Sequence, residues 1–462
     1  MSSRPNPPFL LTRLALILML PVVALAQGVE VTGTMPEDHI PKLRAILEGA
    51  MKQSPGMIQN DLNVAQAEAG VYLNSHSLWP GVGGNADYGF NHESTTGGAT
   101  SKGSGFFYNA GVNQPVFQWG ALVNQSRIGR ISLLMAKRSY AEAYRQLAVV
   151  LREQFMSLIQ KKMALRNARY SLKLAQSAFD VTLDRLKRGE VALSEKSTVG
   201  GNVENATLDL ARQEDDFEGS KNAFADLAGM AGISDGDIPT TIPSSTYTSG
   251  AAASLLAEFL RENAESTFQA QVYQMQIHEA ELGYKIAKVG ILPKFGVSAG
   301  YSVSNSVTAN PGQISQSVVD SLNYSANVSW NIFDGFETRG AKLSALASKR
   351  TAQLQLKNYL ESTEEQARHL VRIMEISARV QANADGGWSY WQDHIKFQAS
   401  EVKAGNIPPV AYAQSMADYY NSEYQCMGAR SAMYAQWTEF VSLVGRDPAL
   451  KQLPQSYVRE TP

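Results

Sequence analysis

Four stretches of the chain alternate apolar and polar side chains with period two. In about 322–332, Leu322, Tyr324, Ala326, Val328, Trp330 and Ile332 fall on one face, and Asn323, Ser325, Asn327, Ser329 and Asn331 on the other. In about 295–304, Phe295, Val297, Ala299, Tyr301 and Val303 alternate with Gly296, Ser298, Gly300, Ser302 and Ser304. Residues 106–116 set Phe106, Tyr108, Ala110 and Val112 against Phe107, Asn109, Gly111 and Asn113. The least regular stretch, 82–92, sets Val82, Ala86, Tyr88 and Phe90 against Asn85, Asp87, Gly89 and Asn91. Period two predicts strands. The polar faces are almost uncharged and the apolar faces are rich in aromatics, as in tilted strands of a membrane barrel. A half-buried sheet of a water-soluble protein has the same alternation. The loops between paired strands are expected at Ser94–Ser104 and Asn305–Ser317, both rich in small polar residues.

The second rhythm has a period of seven. Tyr144, Leu151, Leu158, Leu165, Leu172, Phe179 and Leu186 form one series; Leu360, Ala367, Met374, Gln381, Trp388, Ile395 and Val402 form another, with Gln381 the polar exception. Such repeats predict supercoiled helices. A helix over 121–188 would be roughly 100 Å long at 1.5 Å per residue, which suits a rod or a tube wall. The adjacent pair Gly386-Gly387 is expected to interrupt the second one, at a cost of about 2 kcal/mol relative to alanine.

The two series lie about 216 residues apart. Gly189 and Gly405, Phe117 and Phe333 repeat at that spacing, and Pro80 and Pro293 nearly so. The chain therefore reads as a tandem repeat. The first copy, 27–230, holds a helix at about 55–78, a strand pair 80–93/104–118 and long helices 121–188 and 191–228. A linker at 231–253 leads to the second copy, 254–445, with a helix at about 254–290, a strand pair 293–306/318–333 and helices 337–404 and 408–444. A tail at 446–462 follows.

The first 26 residues read as a signal peptide: Arg4 and Arg13, then an apolar core from Leu14 to Leu20, then Ala24-Leu25-Ala26 before Gln27. Beyond it no apolar run is long enough for a spanning helix. Membrane residence would then demand a closed barrel. Four strands are too few to close one, since membrane barrels begin at about eight, so several copies must pool their strands. Cys426 is the one cysteine, which excludes an intramolecular disulfide. A net charge of −2 argues against nucleic-acid binding. The six histidines have no metal-ligand spacing, there is no nucleophile-elbow motif, and Asp215-Asp216 and Glu364-Glu365 read as solvated helix faces. No catalytic, metal or cofactor site is expected.

The prolines before the strand pairs (Trp79-Pro80, Leu292-Pro293), the turns Gln114–Gly120 and Asn331–Gly335, and the hairpin glycines Gly189 and Gly405 together resemble the TolC-like outer-membrane efflux and secretion channels. The resemblance covers nearly the whole chain after the signal peptide. It implies mixed architecture: long antiparallel coiled-coil helices forming an α-barrel across the periplasm, and four membrane strands per copy closing a twelve-stranded β-barrel in a homotrimer. It implies a passive exit duct in outer-membrane lipid, serving an inner-membrane RND or ABC transporter through a periplasmic membrane-fusion (adaptor) protein. Arg188, Gly189, Lys403 and Gly405 would then lie at the tips that meet the adaptor. Glu195, Ala411 and Gln414 occupy the positions of a pore constriction. At Ala411 and Gln414 the family's best-known member has acidic residues, so an acidic gate is not expected at that hairpin. The competing reading is a periplasmic coiled-coil protein that never enters the membrane.

Overall fold

A computed structural model describes residues 35–94, 101–245, 247–261, 264–310 and 312–458. The signal peptide lies outside the described residues. The chain opens with a helical turn α1 (Pro36–His39) and α2 (Pro41–Gln53), then α3 (Pro55–Ser75). A hairpin of β1 (Gly81–Glu93) and β2 (Ser101–Phe117) leads into α4 (Ala121–Lys187) and α5 (Leu193–Ala228). The plan recurs as α6 (Ser249–Arg261), α7 (Phe268–Val289), β3 (Lys294–Asn310), β4 (Gln313–Ser329), α8 (Glu337–Lys403) and α9 (Pro409–Leu443), closed by α10 (Gln455–Val458).

α4 and α8 each have 67 residues, about 100 Å at 1.5 Å per residue. Their heptad positions do form the seam: Tyr144, Leu151, Leu158, Ala367 and Met374 are buried. Buried Gln381 donates to Ser244 Oγ at 2.8 Å, which satisfies the one polar member. Contrary to expectation, α8 runs unbroken through Gly386-Gly387. Both glycines face open space, and flanking seam packing carries the helix across them.

Several elements differ from the sequence reading. The helix expected over 254–290 is two, α6 and α7, separated at Ala264, which has a positive φ of 53°. Thr267 caps the second by accepting from the Ala270 amide. β3 and β4 run through most of the Asn305–Ser317 stretch expected to be a loop, because Val307, Thr308 and Ile314 continue the ladder and Gly312, at φ 87°, makes the reversal. Ser101–Ser104 are likewise strand. β4 ends at Ser329 rather than 333. The Trp330 indole instead donates back to Ile291 O at 3.1 Å, and Gly335 and Phe336 turn the chain with positive φ.

The long helices lie side by side in one layer. Near the sheet the order is α3, α4, α7, α8; toward the far end it is α5, α4, α9, α8. α1, α2, the segment after α5 and the tail form a second layer on one side of α4. Arg152 (1% exposed) pins that layer. It donates to Glu37 from Nε at 2.9 Å and Nη2 at 2.5 Å, and to Asp447 from Nη1 at 2.6 Å and Nη2 at 2.8 Å. Burial alone would lower the guanidinium pKa, but Asp447 and Glu37 outweigh it and raise it. Asp447 also accepts from the Ala449 amide, so one guanidinium joins α1, α4 and the start of the tail.

Removing that cation strands two buried carboxylates. Arg152→Met is expected to cost about 3–5 kcal/mol in denaturant unfolding of the detergent-solubilised protein, whereas Arg169→Met, at the exposed Arg169–Glu214 pair, costs less than about 1 kcal/mol. Equal stability of the two variants would contradict this. Gly229, at φ 72°, ends α5 with its Cα against Gln53, and an added Cβ would sit 2.0 Å from Gln53 O. Gly229→Ala should therefore lower the melting temperature by several degrees, and an unchanged transition would contradict the packing.

Candidate functional site

The sheet has order β1-β2-β3-β4, entirely antiparallel. Its register sorts side chains by face. Val82, Val112, Ala299 and Tyr324 form one cross-strand row, and Gly84, Ala110, Tyr301 and Leu322 the next. On the other face lie Gly83, Gly111, Gly300 and Asn323, then Asn85, Asn109, Ser302 and Ser321. On the inner strands β2 and β3 the apolar face is the more open one: Phe106, Tyr108, Val112, Val297 and Tyr301 are exposed, with Val303 the buried exception, while Asn109, Ser298 and Ser302 are half-shielded. A water-soluble sheet buries its apolar face. Here the polar face, lined by rows of glycine and serine, is the more shielded one on the inner strands. Hydroxyl pairs Ser298–Ser325 (2.6 Å) and Ser302–Ser321 (2.8 Å) bridge that face.

All four strands join helices at one end of the sheet, and Trp79, Trp119 and Trp330 lie there with exposed rings. Trp119 Nε1 donates to Pro293 O at 2.7 Å, so the indole is anchored by its polar edge with its apolar body outward. This is how an interfacial tryptophan girdle is built. Between girdle and hairpin turns, 17-residue strands tilted by ~40° rise about 43 Å, more than the ~25 Å apolar band of a membrane barrel. The surplus lies at the far end, where outward rows such as Ser104, Val307 and Gln316, then His92, Lys102 and Ala309, take in polar residues.

Gln276 and Glu279 on α7 face Ser344, Ser348, Thr351 and Gln355 on α8 across a groove. Burial pushes the Glu279 carboxyl above its usual range.

At the opposite end each long helical hairpin turns on a glycine. Gly189 (φ 73°) donates to Leu186 O while Glu190 donates to Arg185 O; Gly405 (φ 79°) donates to Val402 O while Asn406 donates to Glu401 O. These are paired Schellman closures, which need a left-handed residue and so favour glycine. Arg188 donates to Glu190 at 2.6 and 3.3 Å; that hydrogen bond raises the Arg188 pKa and lowers that of Glu190. Glu195 faces Arg185 at 3.6 Å, so its charge is partly offset within its own hairpin. Lys403 ends α8, and Ala411 and Gln414 are exposed on the first turns of α9. Because α4 packs between α5 and α9, Glu195 lies on a different hairpin from Ala411 and Gln414.

Sequence reasoning missed the ties between the two hairpins. Arg166 on α4 donates to Glu423 at 2.7 Å and stacks over Tyr420, and Tyr170 donates to Ala413 O at 3.0 Å. Partners some 250 residues away leave no local signal. Among the described residues no cluster of His, Cys, Asp or Glu could hold a metal ion. Cys426 is buried; burial and its hydrogen bond to Asp385 push the thiol up to about 12.

No curated protein matches the sequence. Among solved structures, the chain is similar to the Campylobacter jejuni CmeC outer membrane channel, with a TM-score of 0.70 at 14% identity over 94% of each chain. It is similar to the Vibrio cholerae outer membrane protein VceC, with a TM-score of 0.62 at 13% identity over 88% of this chain and 96% of that one. The open state of the Neisseria gonorrhoeae MtrE channel gives 0.63 at 13% identity, over 88% and 89%. The family model described as outer membrane efflux protein matches residues 46–230 and again 260–446. With most of its length matched in this way, the chain belongs to the outer membrane efflux protein family.

Proposed function

We propose that three copies of this chain form an exit duct, with twelve strands through the outer membrane and a helical tunnel through the periplasm. The observation that carries this is the sheet's two open edges. Among the described residues β1 and β4 have no strand partner on their outer sides, and an unpaired edge is not tolerated in lipid. The helical layer is open along the same two borders. α8 forms one border along its whole length, with Leu343, Leu354, Ile376, Val380, Tyr390 and Phe397 exposed; α3 and α5 form the other, with Ile58, Leu62 and Leu208 exposed. Copies placed side by side satisfy both borders with one repeated, head-to-tail contact.

The tandem-repeat reading (27–230 and 254–445) is supported by the double family match and by backbone geometry. Trp119, Gly120, Gly189 and Gly229 have positive φ, as do Gly335, Phe336, Gly405 and Gly445, each 216 positions later. The tips at Arg188, Gly189, Lys403 and Gly405 are the proposed contact for a periplasmic adaptor, behind which an inner-membrane transporter supplies the energy. Glu195, Ala411 and Gln414 are the proposed constriction, with Glu195 its one acidic group. The conduit itself performs no chemistry. The outward apolar sheet disfavours the alternative of a soluble periplasmic coiled coil.

Two measurements test this reading. Leu322→Arg places a cation at the lipid-facing centre, which costs about 2–4 kcal/mol near the bilayer midplane; the variant should lose most of its heat-stable assembly from outer-membrane fractions, and normal recovery would count against the lipid face. In planar bilayers the purified protein should conduct ions, and Glu195→Gln should reduce its preference for cations over anions. An unchanged reversal potential would remove Glu195 from the constriction.

A further inference from the structure

Six cations lie just below the tryptophan girdle: Arg127 and Arg130 on α4, Lys285 and Lys288 on α7, Arg339 and Lys342 on α8. At 1.5 Å per residue each is within about 15 Å of the strand end of its helix. None forms a hydrogen bond or an ion pair within 4 Å among the described residues; Glu281, one turn before Lys285 and within its field, pairs at 2.8 Å with Lys349 instead. Five are exposed and Lys342 is half-exposed. Such a concentration of positive charge is out of keeping with a chain of net charge −2.

All six project to the same side of the helical layer. On α4, Gln125 and Gly129 meet Asn74 of α3, while Ile131 and Leu134 pack on Met275 and Leu282 of α7. At 100° per residue Arg130 falls between those two contacts, on the face that also carries Lys137, and exposed Arg127 lies about 60° further round, toward α7. Lys137 lies 6.0 Å from the Tyr457 ring of the tail, so this is the side that carries the second layer. On α7 and α8 the polar groove of Gln276, Glu279, Ser344 and Thr351 marks one side. Lys285, Lys288, Arg339 and Lys342 fall on the other by the same helical spacing. A tunnel cannot hold the second layer inside it, so the cations face outward.

We propose that these six side chains form a basic collar that binds the phosphate headgroups of anionic phospholipids in the periplasmic leaflet of the outer membrane. The inference rests on the lipid-facing reading of the sheet. Two features select lipid over other anions. The collar begins where the tryptophans place the membrane–water interface, and headgroups occupy several ångströms beyond the hydrocarbon on each side. Flexible Lys and Arg stems from three successive helices suit many mobile phosphates at a surface, as in juxtamembrane polybasic segments. A single phosphate in a built pocket would call for converging donors instead.

The test compares the wild-type assembly with the variant R127Q/R130Q/K285Q/K288Q/R339Q/K342Q. Each is reconstituted in phosphatidylcholine vesicles with and without phosphatidylglycerol, and the lipids retained on repurification are measured. Wild type should retain phosphatidylglycerol several-fold over phosphatidylcholine. The preference should vanish in ~1 M salt, where screening acts within about 3 Å, and in the variant. The lysine-to-arginine version K285R/K288R/K342R should keep it. Conductance in planar bilayers should be unchanged, since the collar lies outside the tunnel, and this also shows that the variant folds. Equal retention of both lipids by a conducting wild-type channel overturns the collar alone; failure of wild type to insert or conduct overturns the channel reading beneath it. Inorganic phosphate that raises the melting temperature in detergent as much as phosphatidylglycerol does would make the collar a site for free anions, against the proposal. A variant that keeps its lipid preference but loses a copurifying periplasmic protein would assign the collar to an acidic protein surface, also against it.

Discussion

A strand in hydrocarbon has nowhere to put an unpaired amide. Each open backbone group costs several kcal/mol there, because no water replaces the missing partner. This chain carries four strands whose outward faces are apolar and whose two edges are open. Lipid on one face and unsatisfied edges on both sides are compatible only if further strands close the ring. The helical layer follows from the same constraint. It continues from the strand ends and leaves apolar stripes on the two borders where the sheet is open.

The periplasmic part meets a different difficulty. Helices of 67 residues bury only a narrow seam, so the layer is thin and depends on local bracing. The second layer around α1, α2 and the tail supplies it near mid-length, with Arg152 holding Glu37 and Asp447. Below that belt the hairpins are joined by sparser ties, such as Arg166 to Glu423. These ties lie between the belt and the glycine tips, the end proposed to meet the adaptor.

Period-two and period-seven patterns made the strands, the two long helices and the hairpin glycines legible, because each reflects a local rule: alternation across a pleat, a supercoil seam, a left-handed cap. The α2 helix was missed although Pro41 opens it and Leu43, Ile46, Leu47 and Ala50 form its buried face. At 13 residues it falls below the length at which the heptad pattern stands out. The extra strand length around Asn305–Ser317 was hidden by serine- and asparagine-rich composition, which reads as loop until cross-strand pairing is known. Arg152 and Arg166 look like ordinary solvated cations in sequence, since what distinguishes them are partners brought close only by folding. The positions proposed for the tips were read from the hairpin glycines, but the Arg185 that offsets Glu195 left no such signal.

The mass of the assembly extracted from outer membranes in mild detergent tests the central claim most directly. Edge pairing between copies predicts a single species with close to three times the 50.3 kDa of one chain, less its signal peptides and corrected for bound detergent. A monodisperse species of one chain that retains its strand content and resists protease would mean that the edges close without neighbours, and would contradict the account.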